Sequence, residues 1–138
     1  VISFLFGDLE TRYLRTRERA DVYSNVEADL VLAEDGRELY AEVLFPVVEL
    51  AAALRKWQKA RGAFVFDSMS LDGRWAVRFL PVGEGWRVVN DEDELVRSSV
   101  VTADGLDDAI DDFVERLRVA SVEVLGDWVG EHFGRETQ

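Results

Sequence analysis

The stretch Asn25–Phe45, NVEADLVLAEDGRELYAEVLF, decides how this chain is read. Val26, Ala28, Leu30 and Leu32 alternate with polar or bulky neighbours, so they fall on one face of an extended strand. Asp35-Gly36 follows, a dipeptide suited to a type I′ turn because both central positions need a positive φ. On the return, Leu39, Ala41, Val43 and Phe45 alternate again. The spacing predicts a β-hairpin, and with it an antiparallel sheet.

Further along, Pro46 suits the first turn of a helix, where its missing amide hydrogen is not needed. Leu50, Ala51, Leu54 and Trp57 recur at helical spacing, and Gly62 closes the segment. AFVFDSM, RWAVRFL and GWRVVN come next, separated by SLDG and PVGEG. Trp75, Val77 and Phe79 alternate with Arg74, Ala76 and Arg78, the pattern of a half-buried strand. ELVRSSVVT reads as one more. From Asp104 the period becomes helical, with Asp104 itself suited to cap. Leu106, Ile110, Phe113, Val114 and Leu117 form a stripe that Leu125, Trp128, Val129, His132 and Phe133 continue. The β-branched run RVASVEV predicts a break between the halves. Near the start, Arg15, Arg17 and Arg19 alternate as on an exposed strand. The sum is a single α+β domain over residues 1–138: an antiparallel sheet of about five to seven strands, one inserted helix and one or two C-terminal helices.

Composition narrows the function. A net charge of −12 disfavours nucleic acid, which needs a basic stripe, and anionic membrane surfaces equally. VISFLF at the start is too short for a secretory or membrane segment. The absence of cysteine removes disulfides and thiolate sites, and suits a reducing cytoplasm. The charge is also uneven. Residues 1–90 carry 14 acids and 12 bases, a net of −2, whereas residues 91–138 carry 14 acids and four bases, a net of −10. Such asymmetry predicts a strongly negative face.

Its centre is NDEDELVRSSVVTADGLDDAIDDF, Asn90–Phe113. Asp104–Glu115 has the length of a calcium loop, but Leu106 and Ala109 occupy positions that need a ligand and a glycine. DDAID, Asp107–Asp111, matches an aspartate-rich magnesium pattern, yet no second metal motif accompanies it. His132 is the sole histidine, so no histidine cluster exists, and a satisfied ring at the core edge is its simpler role. Trp57, Trp75, Trp86 and Trp128 sit in or beside apolar stripes, as core residues do. PVGEG lies in a hairpin turn, not at a strand–helix junction, so it makes no phosphate cradle. Helix-start placement and pairing of Asp112 with Arg116 and Glu115 with Arg118 account for some of the acids as plain surface chemistry. Asp91–Glu94 stays unexplained by those terms. No cofactor, metal or catalytic constellation is called for.

Phe45-Pro46, Phe66-Asp67-Ser68-Met69 and Gly85-Trp86-Arg87 resemble a family of small uncharacterised bacterial domains, over residues 26–90. In size, acidity and α+β make-up the chain is more loosely similar to immunity proteins of bacterial polymorphic toxin systems. That likeness implies a cytoplasmic, non-enzymatic inhibitor that sits on a cognate toxin domain, basic and of nuclease type in the simplest case. The expected contact residues are Asp91, Glu92, Asp93, Glu94, Asp107, Asp108, Asp111, Asp112 and Glu115. Asp67 and Ser68 supply either a second polar feature or a strand-end hydrogen bond. The alternative is a non-catalytic binding domain whose sheet face, with Trp75 and Trp86, takes a small ligand or partner. An enzyme working by carboxylates alone, or through an imported metal, ranks behind both.

Overall fold

The computed structural model describes residues 1–68, 74–93 and 95–133, and only the backbone of 74–76. The fold is α+β. Strands β1 (Ile2–Phe6), β2 (Ala28–Glu34) and β3 (Arg37–Phe45) form one antiparallel sheet in that order. Strands β4 (Phe64–Asp67), β5 (Arg74–Val82), β6 (Gly85–Asn90) and β7 (Arg97–Val101) form a second. Helix α1 (Arg19–Asn25) joins β1 to β2, and α2 (Val47–Ala60) joins the two sheets. Helix α3 (Ala103–Leu125) and a 3₁₀ turn, Asp127–Phe133, close the chain.

The expected hairpin is β2–β3, and Asp35 and Gly36 have φ of 49° and 82°, as its turn requires. Its alternation is only half as read. Val26, Ala28, Leu30 and Leu32 are buried, but on β3 the buried residues are Leu39, Tyr40 and Phe45, while Ala41 and Val43 face solvent. Register shifts between Ala28 and Leu30 and between Leu32 and Ala33 move β3 against its neighbour, and a one-residue slip exchanges the faces.

Four other expectations need correction. The strands split into two sheets, because β3 runs into Pro46 and α2 instead of returning to pair. Arg15 and Arg17 lie in the irregular segment before α1, and Arg19 starts that helix. The Asp21 carboxylate orders that region by accepting from the backbone N–H of Arg15 and Thr16, the Thr16 hydroxyl and Asn25. Finally, α3 runs unbroken through RVASVEV for 23 residues. Its helix is established over four turns before the valines arrive, each costing only about half a kcal/mol. Thr102, not Asp104, caps it, accepting from the Gly105 N–H at 3.0 Å.

A continuous apolar cluster holds these pieces together. Leu50, Leu54 and Trp57 of α2 and Leu106, Ile110, Phe113 and Leu117 of α3 join Phe4, Leu30, Leu32, Phe79 and Val88 from both sheets. Phe4 meets Phe113 at 5.4 Å between ring centroids, and Trp57 meets Phe79 at 5.2 Å. One close approach fixes the β6–β7 hairpin: a Cβ at Gly85 would stand 2.6 Å from the Val101 carbonyl oxygen. No described helix is long and apolar enough to cross a membrane.

Candidate binding surface

The acidic residues fall into two groups with opposite surroundings. The first lies on α3. Asp107 and Asp111 are one turn apart, so both point along the same flank, toward α2. There Arg61 grips Asp107 with two parallel bonds of 2.9 and 2.7 Å, and Gln58 adds a third at 3.1 Å. Arg55 pairs with Asp111, which also accepts from Gln58 at 3.1 Å. Burial pushes the Asp107 pKa up, but the bonds from Arg61 and Gln58 and the nearby cations outweigh it. The carboxyl therefore sits below the ordinary value of 3.8. Asp112 pairs with Arg116 at 2.9 Å, and Glu115 with Arg118 at 2.6 Å, as the helical spacing predicts.

The second group surrounds β7. Asn90–Val96 forms a tight turn, closed by Val96 N–H to Asp93 carbonyl at 2.8 Å and Asn90 N–H to Val96 carbonyl at 3.0 Å. The Asp93 carboxylate accepts from the Leu95 N–H, and the Asn90 side chain accepts from the Glu92 N–H. These bonds lift Leu95 clear of the molecule, 89% exposed. Asp91 pairs with Arg78 at 2.8 Å. Glu92 and Asp93 are exposed with no cation beside them among the described residues; Asp104 and Asp108 at the start of α3 make no ion pair there, although Asp104 lies in the field of Arg61. Glu94 lies outside the described residues. Val100 of β7, between the two sets in the chain, is 45% exposed. A groove of about 440 Å³ runs beside β7, lined by Ser3, Glu34, Val101, Asp108 and Asp112.

Of the eight described acids expected to meet a partner, five hold an arginine of this chain: Asp91, Asp107, Asp111, Asp112 and Glu115. Glu92, Asp93 and Asp108 do not. Three of the five arginines, Arg55, Arg61 and Arg78, come from residues 1–90. The block-by-block charge count missed them because it sorts residues by position in the chain, not in space. No group of three or more candidate metal ligands occurs among the described residues.

The tryptophans are mostly internal. Trp57 and Trp86 stack edge to face at 5.3 Å, and both indole N–H groups donate to the Gly62 carbonyl, at 3.0 and 2.8 Å. Gly62 can face them because Arg61 before it takes φ 58° and ψ −162°, a conformation favoured by glycine alone. Arg61 stays there under restraint, gripping Asp107 and lying 4.9 Å over the Trp57 ring. The Trp75 side chain lies outside the described residues. Trp128 donates to the Leu125 carbonyl, and His132 donates to the Arg17 carbonyl at 3.0 Å, so the histidine is satisfied as expected. Ser68 donates to Glu49, buried on α2, at 2.6 Å, a link between a strand end and a helix. A second depression, about 950 Å³, runs along the outer side of α2 past Arg19, Tyr23, Lys56 and Val65.

A family model described as a domain of unknown function, DUF7878, matches residues 2–120. The match takes in both sheets, α2 and most of α3. No curated protein and no solved structure matches the chain.

Proposed function

The chain belongs to the DUF7878 family, a domain of unknown function, and from that premise we propose that it is a non-catalytic inhibitor of immunity type. It binds a basic protein domain, a cognate bacterial toxin, in the cytoplasm. The reading rests on one observation above the rest: Leu95 projects from the turn that carries Glu92 and Asp93, which have no cation beside them among the described residues. An exposed apolar side chain in the same turn as exposed carboxylates has the make-up of an anchor with a steering charge. Val100 on β7, and Asp104 and Asp108 at the start of α3, add further exposed apolar and acidic groups. Long-range attraction raises the encounter rate with a cationic cleft, and burial of Leu95 sets the off-rate. Asp91, Asp107, Asp111, Asp112 and Glu115 contribute second, since each would share its carboxylate with an arginine already in place.

The test is co-expression with the basic protein encoded beside this chain's gene. Growth arrest by that protein, relieved by wild-type chain and not by Glu92→Gln/Asp93→Asn/Leu95→Ala, supports the reading. The complex formed in vitro should weaken steeply with salt. Full protection by the triple variant, with equal affinity at low and high salt, would sink it.

A second reading, a small-ligand site, is favoured by the depression along α2; of the sheet tryptophans Trp75 and Trp86, the Trp86 indole N–H is committed to the Gly62 carbonyl and the Trp75 side chain lies outside the described residues. A thermal-shift screen of small anions and metabolites tests it; a flat melting temperature throughout would remove it.

A further inference from the structure

The depression beside α2 differs in charge from the rest of the molecule. The chain has two lysines, Lys56 and Lys59, and both line it, together with Arg19 of α1. The lysines stand one turn apart on the exposed face of α2, close enough for both ammonium groups to meet one ligand. Most other described cations are taken up by carboxylates, carbonyls or rings of this chain. Among the described residues, the side chains of Arg19, Lys56, Lys59, Arg87 and Arg97 make no ion pair, hydrogen bond or ring contact, and the first three of these meet here.

The acids along the depression do not cancel them. Glu49 accepts from Ser68, and roughly 10 Å of helix rise separates it from Lys56. Asp67 precedes Ser68, at that same end of the depression. Glu131, on the 3₁₀ turn, is the remaining acid of the wall, against three free cations. Ala52, Ala53 and Ala60 share the lysine face of α2, with Val65 of β4 and Tyr23 of α1 beside them, so the cations border an apolar floor. The volume, about 950 Å³, is that of a small-molecule site and far exceeds what a bare phosphate fills. In a chain of net charge −12, such a concave basic end is the complement of an anion with an apolar body.

We infer that the basic end of this depression binds a small organic dianion, a phosphate monoester or a dicarboxylate. Its charge meets Lys56, Lys59 and Arg19, and its body lies over the alanines. The ammonium groups, point donors on flexible stems, suit either headgroup. The inference rests on the small-ligand reading of the depression and is independent of the acidic turn.

The experiment titrates phenyl phosphate, benzylsuccinate, inorganic phosphate and neutral benzyl alcohol, at constant ionic strength, into wild type and Lys56→Gln/Lys59→Gln. The methyl resonances of Ala52, Ala53 and Ala60 report the site. Both lysines are exposed and glutamine is a comparable helix former, so the variant keeps the fold. At least one organic dianion is expected to saturate, to move those methyls, and to bind more tightly than inorganic phosphate. Its affinity should fall about tenfold in the variant, the worth of two exposed ion pairs. The tighter of the two organic dianions identifies the headgroup. Equal affinity in the variant would overturn the inference, as would shifts that leave the three alanines still, or inorganic phosphate binding as tightly as the organic dianions. Benzyl alcohol moving the alanines while neither dianion does would overturn it and leave the small-ligand reading standing. If no titrant moves them the inference fails, and a flat thermal screen beside that result removes the reading beneath it.

Discussion

The α3 flank and the β6–β7 turn carry the same residue types and use them in opposite ways. On α3, Asp107 and Asp111 are tied into α2 through Arg61, Arg55 and Gln58, and their charge is spent inside the molecule. In the turn, Glu92 and Asp93 use hydrogen bonds only to shape the backbone, and their charge faces outward. The difference is one of reach. A helix flank beside another helix brings side chains together across the interface, whereas a two-strand turn projects beyond any neighbour. Acidity alone therefore says little about binding until the location of the arginines is known.

The contrast can be broken at its strongest point first. Asp107→Ala leaves Arg61 without its paired acceptor and should lower stability by about 1–2 kcal/mol in denaturant unfolding. A change indistinguishable from zero would mean that the interhelical grip is only surface decoration. Arg61 offers a finer comparison, because Arg61→Ala and Arg61→Gly lose the same ion pair while only glycine relieves the positive φ. Arg61→Gly should be the more stable of the two by about 1 kcal/mol.

Acid provides a third comparison. Asp21 is held at about 2, against 3.8 ordinarily, chiefly by its bond from Asn25 and by the Arg15 N–H. Glu34 is lowered by the Ser99 hydroxyl bond in the first place, and Asp107 lies below the ordinary value despite its burial. These carboxyls stay charged in the folded state where the unfolded chain would bind a proton. Their stabilisation is complete above the ordinary carboxylate values and fades as pH falls toward 2. An unfolding series over that range should show stability falling with acid, with a shallower slope in Asp107→Asn. The smallest effect belongs to the turn: Glu92→Gln/Asp93→Asn should move stability by less than about 0.5 kcal/mol. A larger loss would place those acids in the same structural role as the α3 flank and erase the contrast.

What the sequence makes legible follows from how local the cause is. The Asp35-Gly36 turn, the buried stripe of α2 and the pairs Asp112–Arg116 and Glu115–Arg118 all arise within a few residues, and each is found where its spacing puts it. The exposure of Ala41 and Val43 depends on register shifts across β2–β3, which no single-strand pattern records. The division into two sheets, and the pairing of Asp107 with Arg61, depend on where α2 comes to rest, 46 residues away from its partner acid. The helix through RVASVEV went unread because valine propensity is a weak term beside an established helix with a buried face. Within the candidate site, the turn acids were visible as charge; that Leu95 stands among them fully exposed was not, since a lone leucine in an acidic run carries no sequence signal.

Gly85 bears on how such a protein can vary over time. With the Val101 carbonyl 2.6 Å from where a side chain would begin, this position has no substitute, and it pins the two strands that carry the acidic turn. Gly130, whose added Cβ would meet nothing within 4 Å, has no such restriction. In a saturating mutational scan selected for folding, position 85 should accept nothing while positions 92, 93 and 95 accept nearly everything. A lineage can therefore rewrite the lip of the hairpin freely, because the hinge line beneath it never moves.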